Sequence, residues 1–457
     1  MIKKYTVFFV VQTGFAIRNV LRSDAFRALA KKKDLNLVIF CGLSQNKKFQ
    51  KEFCGSNIFF EKLHSNQDMS VFEWYSKNLQ SLSQAYRKPT ESYDIILKKL
   101  KKTNLLKYRL AKILKPLLMS DKIFRGINCM DTRLFGNKNY DRLIEKYNPD
   151  LIFFSGAYDF DSHPLARRAK VMDIPSITLI TSWDNLTKGS LIVKPDEMIV
   201  WNNIMKKEAI KLHGMKPEDV HVVGAPPFDF YHNVKILSRE DFFKKMGLDQ
   251  KKKLIVYASV TRSVTKDESF IVRDLLEMID NRQLVEGCQI LARIYARRNI
   301  NEYKKYFNRS NIIFDQPKIV KNLPDLWNPD KNTMEHIANT LAHADVFVSS
   351  STTMVIEAAL FDTPIVNWMY DEIANKDYTD SVSRFFDYTH YKNIIETKGV
   401  QVAKSPEEMK NQINTYLKSP HSDKKGRERI IKEQIGTVDG LAGKRISEVI
   451  YRYLKKK

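Results

Sequence analysis

The chain has 457 residues, more than one hydrophobic core usually spans, and its 43% hydrophobic and 11% aromatic content excludes extended disorder, so two globular domains are expected. Its 76 Lys/Arg against 53 Asp/Glu leave a formal charge of +23, which calls for an anionic partner (nucleic acid, lipid headgroups or a nucleotide) unless lysine-rich composition alone accounts for it. Cys41, Cys54, Cys129 and Cys288 have no metal or redox spacing and read as small buried residues of a reducing compartment; no apolar run is long enough to span a bilayer and no cleavage site follows the first strand, so a cytoplasmic protein, soluble or peripheral, is expected.

In chain order, residues 5–11 have the pattern of a buried strand. A turn, Gln12-Thr13-Gly14, leads into an amphipathic helix, and 35–40 make a second strand, so the chain opens as a βαβ unit. The stretch 98–125 stands apart, with ten Lys/Arg and one acid, Asp121. Leu106, Leu110, Ile113, Leu114, Leu117 and Leu118 share one helical face, with Lys107, Arg109, Lys112 and Lys115 on others, and Pro116 interrupts the run. The pattern suits leucines facing a core, and it equally suits a basic amphipathic helix lying on an anionic membrane. Short apolar strands at 151–155, 176–181, 198–201 and 220–223, spaced by helical segments at 164–172 and 206–213, continue an α/β series with a parallel sheet. The text GAPPFDFYHN at 224–233 breaks it. The rhythm restarts with strands at 254–257, 289–295, 311–314, 346–348 and 364–368 and helices at 267–279 and 334–342. The expected division is a Rossmann-like domain over 1–226, a linker at 227–237, a second such domain over 238–435, and a last helix in 436–457 that packs back on the first domain.

Ligands of doubly wound sheets sit beyond the carboxyl ends of strands, so the residues there are the candidates. The first strand is followed by Gly14 and Arg18, and the strand at 151–155 by Asp159, Asp161 and His163. The next strand runs into SWDNLTKG, which packs Asp184, Asn185 and Lys188 beside Trp183. In the second half, Ser259, Thr261 and Arg262 follow one strand, and Arg293 and Arg297 lie at the end of the next. The densest segment is ADVFVSSSTTMVIEAALFDTPIVNW at 344–368. An apolar strand stops at five hydroxyl residues, with Ser350, Ser351, Thr352 and Thr353 at the start of a helix that carries Glu357. Hydroxyls at a helix N-terminus accommodate a phosphate, and a carboxylate one turn in can accept from ribose hydroxyls; an ordinary helix cap uses the same residues. Acids collect on the loops of the first half and Arg, Ser and Thr on those of the second. That suits an anionic donor held by the second domain and an acidic base on the first.

Three segments resemble a known group. VHVVGAPPFDFY is similar to the VxGxPxxD segment, and ADVFVSSSTTMVIEAALFDTPIV to the diphosphate-and-ribose segment, of GT-B glycosyltransferases of the group that includes UDP-N-acetylglucosamine 2-epimerases and CDP-glycerol glycerophosphotransferases. TSWDNLTKG resembles loops of proteins encoded with surface polysaccharide genes and falls where the glycerophosphotransferases carry a Trp-His-Gly-Thr loop, with Asp184 in place of the histidine. RIYAR stands where many relatives have Arg-x-His-Pro, and the acids and histidines of the epimerases are not recognisable. The resemblance implies an α/β, GT-B-like fold of two Rossmann-like parallel-sheet domains facing across a cleft. It implies a metal-independent glycosyltransferase with no bound cofactor, taking a nucleotide sugar, foremost a UDP-sugar, to a surface polysaccharide or lipid-linked glycan at the inner face of the membrane. Asp184, with Asp159 second, is the expected base. Ser350 to Thr353 would hold diphosphate and Glu357 ribose, with Ser259, Thr261, Arg262, Arg293 and Arg297 around the phosphates and Gly14, Arg18, Asn185 and Lys188 toward the acceptor. The alternatives are a CDP-polyol phosphotransferase and, from another class, a basic nucleic-acid-binding protein; no nucleic-acid module motif is present, and no nucleic-acid partner is expected.

Overall fold

The computed structural model describes residues 3–63, 70–136, 138–156, 162–285, 287–317 and 330–456. The chain divides into two compact units, one of Met1–His232 with Ile435–Lys457, the other of Asn233–Ile319 with Pro329–Gln434. The second unit is thus inserted, in sequence, within the first.

Among the described residues the first unit holds seven strands: β1 (Tyr5–Val10), β2 (Leu35–Cys41), β3 (Ile58–Lys62), β4 (Leu151–Phe154), β5 (Ser176–Leu179), β6 (Glu197–Val200) and β7 (Val220–Val222). They lie in the order β3-β2-β1-β4-β5-β6-β7, every pair parallel. Strands covered on both faces carry continuous apolar runs, and β1 shows why. Val7 and Phe9 join one core with Leu37, Ile39 and Phe153, while Phe8 and Val10 join another with Val38, Phe40 and Tyr140.

The first of these cores is completed from the far end of the chain. Ile446, Ile450 and Leu454 of the helix Ala442–Lys456 lie in it beside Ala25 and Leu29 of the helix Asp24–Ala30. Gly443 permits that approach, since a Cβ there would stand 3.0 Å from Ala25 N. The helix start is capped by Asp229, whose carboxylate accepts from Ala442 N (3.1 Å) and Gly443 N (2.8 Å). The acid of the GAPPFD segment therefore does structural work, as an N-cap acting across the sequence.

Residues 71–134 fold into helices Val71–Arg87, Glu91–Thr103, Leu105–Ile113, Lys115–Leu118 and Asp121–Leu134, with Pro116 in the first turn of the fourth. Buried Arg167 pins this layer to the helix His163–Val171. Its Nε donates to Asp131 Oδ2 at 2.7 Å and its Nη2 to Asp131 Oδ1 at 3.2 Å, while Nη1 donates to Glu73. Most of the apolar face of the 98–125 stretch, however, does not meet a core. Leu106, Leu110, Ile113 and Leu117 are exposed, and only Leu118 of the set is fully buried.

The second unit holds, among the described residues, β8 (Lys253–Ala258), β9 (Cys288–Arg293), β10 (Ile312–Asp315), β11 (Val346–Ser349), β12 (Ile365–Trp368) and β13 (Gln401–Ala403), ordered β10-β9-β8-β11-β12-β13 and all parallel. Of the cysteines, Cys41 and Cys288 are buried as expected, but Cys54 and Cys129 are exposed; none of the four forms a disulfide among the described residues.

Candidate functional site

Strand order in the second unit reverses between β8 and β11, the place where a doubly wound sheet leaves room for a ligand. The two strands are register neighbours through Val348 and Tyr257, so the loops that follow them emerge side by side. Ser349 Oγ ties them, donating to Ala258 O at 2.8 Å. The chain thereby brings Ser259, Thr261 and Arg262 next to Ser350, Ser351, Thr352 and Thr353. Ser350 is fully buried and Ser351 half-buried, and neither hydroxyl has a hydrogen-bond partner among the described residues. Leaving a buried hydroxyl unpaired costs on the order of 1–3 kcal/mol, which marks this strand end as a place for water or ligand oxygens. Asn367 Oδ1, buried and without a partner among the described residues, lies close by, since Asn367 Nδ2 donates to the Tyr391 hydroxyl (2.7 Å), itself 3.5 Å from Ser350 O. Thr353 is the N-cap of the helix Met354–Leu360 but makes no side-chain capping bond, and half-buried Glu357 lies in the first turn.

The loop after β8 is held from beneath. Glu268 and Arg298, both wholly enclosed, pair at 2.6 Å. The Glu268 carboxylate accepts from Val260 N at 3.0 and 3.1 Å and from the Tyr303 hydroxyl at 3.1 Å, while Arg298 donates to the carbonyls of Val260 (2.9 Å), Thr265 (2.8 Å) and Lys266 (3.1 Å). Arg384 adds a bond to Ser263 O at 2.9 Å. Burial pushes the Glu268 carboxyl up against the lowering pull of Arg298. Ser259 Oγ accepts from Tyr295 N at 2.6 Å, so that hydroxyl braces the neighbouring loop. The arginines differ in position. Arg262 is exposed and only 3.4 Å from Glu302, a pairing that solvent weakens, and Arg297 is exposed as well. Arg293 is buried and pairs with Asp315 at 2.5 Å, an acid that also accepts from His336 at 2.8 Å, so its charge is already met within β9 and β10.

In the first unit the reversal lies between β1 and β4. Gln12 Nε2 and Ser155 Oγ, at the two strand ends, are buried and have no hydrogen-bond partner among the described residues. Gly14 opens a one-turn helix capped by Thr13 Oγ1, and half-buried Arg18 lies in the π-helical turn Ile17–Leu21, donating to Asn19 Oδ1 at 2.7 Å. Beyond β5, Asp184 precedes the short helix Asn185–Lys188. Its carboxylate accepts from Ser182 Oγ at 2.5 Å and forms an ion pair with Lys188, and Asn185 Oδ1 accepts from Ser182 N at 3.1 Å. Asp184, Asn185 and Lys188 are thus one self-bonded cluster. Asp159 and Asp161 lie outside the described residues.

No family model matches the chain, and no curated protein matches it in sequence. Solved structures match it nearly end to end. A glycosyltransferase from Rickettsia africae ESF-5 covers 99% of this chain and 99% of its own, with a TM-score of 0.53 and 12% identity. A UDP-GlcNAc 2-epimerase from Neisseria meningitidis bound to UDP-GlcNAc covers 98% and 100%, at 0.54 and 11%. The Methanocaldococcus jannaschii UDP-GlcNAc 2-epimerase in complex with UDP-GlcNAc and UDP covers 98% and 99%, at 0.53 and 12%. The chain has the GT-B fold. At such identities the likeness speaks for architecture, and the chemistry has to come from the residues.

One residue that sequence reasoning missed is Glu208, on the helix Asn203–His213. Its Oε2 is sealed from solvent with no hydrogen-bond partner among the described residues, and burial, reinforced by the negative charge of Asp184, pushes its carboxyl up to about 8. His213 of the same helix goes the other way: burial pulls it down to about 4, and its Nε2 lies 2.8 Å from Leu186 O. Near neutrality the loop of Asp184 therefore adjoins a protonated acid and an uncharged imidazole. Between the ordinary glutamate value and about 8 the native state keeps a proton that the unfolded chain has lost, so stability falls as pH rises through that window and levels off above it. Glu208→Gln is expected to match the unaltered protein near the acid end of the window and to exceed it by on the order of 2–4 kcal/mol above the alkaline end. Denaturant midpoints across the range check this, and parallel curves for the two proteins contradict it.

Proposed function

We propose that the protein is a glycosyltransferase that moves a sugar from a nucleotide-sugar donor, a UDP-sugar foremost, to a surface polysaccharide or lipid-linked glycan. The observation that carries this reading is the pair of unpartnered hydroxyls at Ser350 and Ser351, set at the strand-order reversal of the second unit and followed by a helix with Glu357 in its first turn. A diphosphate offers the acceptor oxygens that these hydroxyls lack, and Ser350 to Thr353 would hold it. Glu357 would accept from ribose hydroxyls, and Arg262 would offset the charge of the departing nucleoside diphosphate. Arg293, already paired, contributes less to that role than its place in the sequence implies. In the first unit Asp184 and Glu208 supply a carboxylate and a protonated carboxyl for moving the acceptor's proton. Solved GT-B proteins bound to UDP-GlcNAc support a UDP-sugar as the first donor to test.

The experiment is a thermal-shift series with UDP, GDP, CDP, UDP-sugars and CDP-polyols. A ligand at a hundred times its dissociation constant adds about 2.7 kcal/mol, which amounts to roughly 5–10 °C for a unit of this size. UDP and a UDP-sugar are expected to give the shift, and Glu357→Ala to remove it. A shift with CDP-polyols alone selects the phosphotransferase instead, and no shift with any nucleotide overturns the reading.

A further inference from the structure

The helical layer of residues 71–134 carries an apolar surface that nothing among the described residues covers. Leu106, Leu110, Ile113 and Leu117 recur at spacings of four, three and four, one face of a helix. The hydrogen-bond ladder runs on across the joint at Leu114, through Leu114 N to Leu110 O and Leu118 N to Leu114 O, both 2.9 Å. Leu106 is 79% exposed and Ile113 74%. The neighbouring helix Val71–Arg87 continues the surface. It meets Lys107 through Trp74 and Asn78 on one side, with Lys107 Nζ 4.4 Å from the indole centroid and 3.0 Å from Asn78 Oδ1. On its other side Ser76 Oγ donates to Asp131 Oδ1 at 2.7 Å. At about 100° per residue, Val71, Tyr75 and Phe72 fall on the arc between those two contacts, and all three are exposed, Phe72 by 79%.

Charge surrounds this apolar surface. Nine of the ten Lys/Arg in 98–125 are exposed, with only Lys107 half-buried. Of the acids of the layer, Glu73 and Asp131 are spent on Arg167 inside the unit and Asp121 pairs with Arg87, which leaves exposed Glu91 and Asp94 at the start of the helix Glu91–Thr103 against nine exposed cations. Large aliphatic side chains ringed by lysine fit a surface that is negative outside and hydrocarbon just beneath. We infer that residues 71–134 form a docking surface for an anionic lipid bilayer, with Phe72, Leu106, Leu110, Ile113 and Leu117 entering the headgroup region and Lys99, Lys101, Arg109 and Lys112 meeting lipid phosphates. A second copy would present the same positive charge and be repelled. Nucleic acid would satisfy the lysines but give the leucines no apolar layer to enter. Among the described residues no helix is long and apolar enough to cross a membrane, so the attachment is to the surface.

The test uses the full chain and no nucleotide, so its outcome is independent of the donor reading. Co-sedimentation compares vesicles of phosphatidylcholine alone with vesicles containing half phosphatidylglycerol, at low and high salt. Binding is expected to the anionic vesicles and to weaken with salt. Leu106→Asp with Ile113→Asp is expected to lower the partition at least about ten-fold without changing the melting temperature, since both side chains are exposed. Lys99→Glu with Lys101→Glu is expected to remove the preference for anionic over neutral vesicles. Failure to bind anionic vesicles, or binding untouched by the leucine variant, overturns the inference. So does a leucine variant that loses self-association in sedimentation velocity, or binding to a labelled RNA, while vesicle binding persists.

Discussion

Arg167→Leu is expected to cost the first unit about 3–5 kcal/mol, because it strands two buried carboxylates at once. Arg167 and Asp131 are each 1% exposed and Glu73 is 7%, and the guanidinium is the cation joining them. The loss comes less from the missing attraction than from the unsatisfied acids left behind. Adding Glu73→Gln and Asp131→Asn to the same protein should therefore recover much of the stability although no ion pair is restored. Denaturant melts of the single and triple variants measure this. Hydrogen exchange should place the loss in the helices Val71–Arg87 and Asp121–Leu134, which Arg167 connects to His163–Val171. A single variant within about 1 kcal/mol of the unaltered protein would sink the argument.

Arg298→Leu should cost a similar amount, about 3–5 kcal/mol, in the second unit. It deprives three loop carbonyls of their donor and leaves Glu268, already pushed toward its neutral form by burial, without its cation. The reach is what distinguishes it from other buried pairs. The bonds lost are those that shape residues 260–266, so a nucleotide-induced shift should shrink as well. Arg298→Lys keeps the charge, but a single ammonium cannot serve three carbonyls and a carboxylate, so recovery should be partial. Full stability and an undiminished nucleotide shift in Arg298→Leu would show that the loop holds its form without the pair.

What could be read before the structure follows from burial. The central strands are enclosed on both faces and so are written as apolar runs, and the alternation of those runs with helices announces two parallel sheets. The edge strands β3 and β13 escape notice because they are short and half-buried, with Glu61 and Lys62 closing the first and Gln401 opening the second. The hydroxyl run at Ser350 to Thr353 was visible as a helix start, but its side-chain bonding was not: the missing cap bond at Thr353 and the unpartnered hydroxyls are facts of packing. Glu208 could not have been singled out, since one acid on a lysine-bearing helix looks like solvated surface until the fold sets it beside Asp184. The same holds for Glu268 and Arg298, which lie 30 positions apart and meet only beneath a loop. In the 98–125 stretch the leucine periodicity fits a core-facing and a solvent-facing helix alike, and only the fold separates the two.

The helix Ala442–Lys456 has a further consequence for how the protein is made. Ile446, Ile450 and Leu454 complete a core whose other walls, Val7, Phe9 and Leu37, leave the ribosome first. The whole second unit is synthesised between them. At about 5–20 residues per second, roughly 10–40 s separate His232 from Ala442. Over that interval one face of the nascent sheet lacks its cover, an apolar surface open to chaperones and to aggregation. An isolated N-terminal half expressed without this helix would stay in that unfinished state, whereas the inserted unit has its own core to fold around while the first one waits.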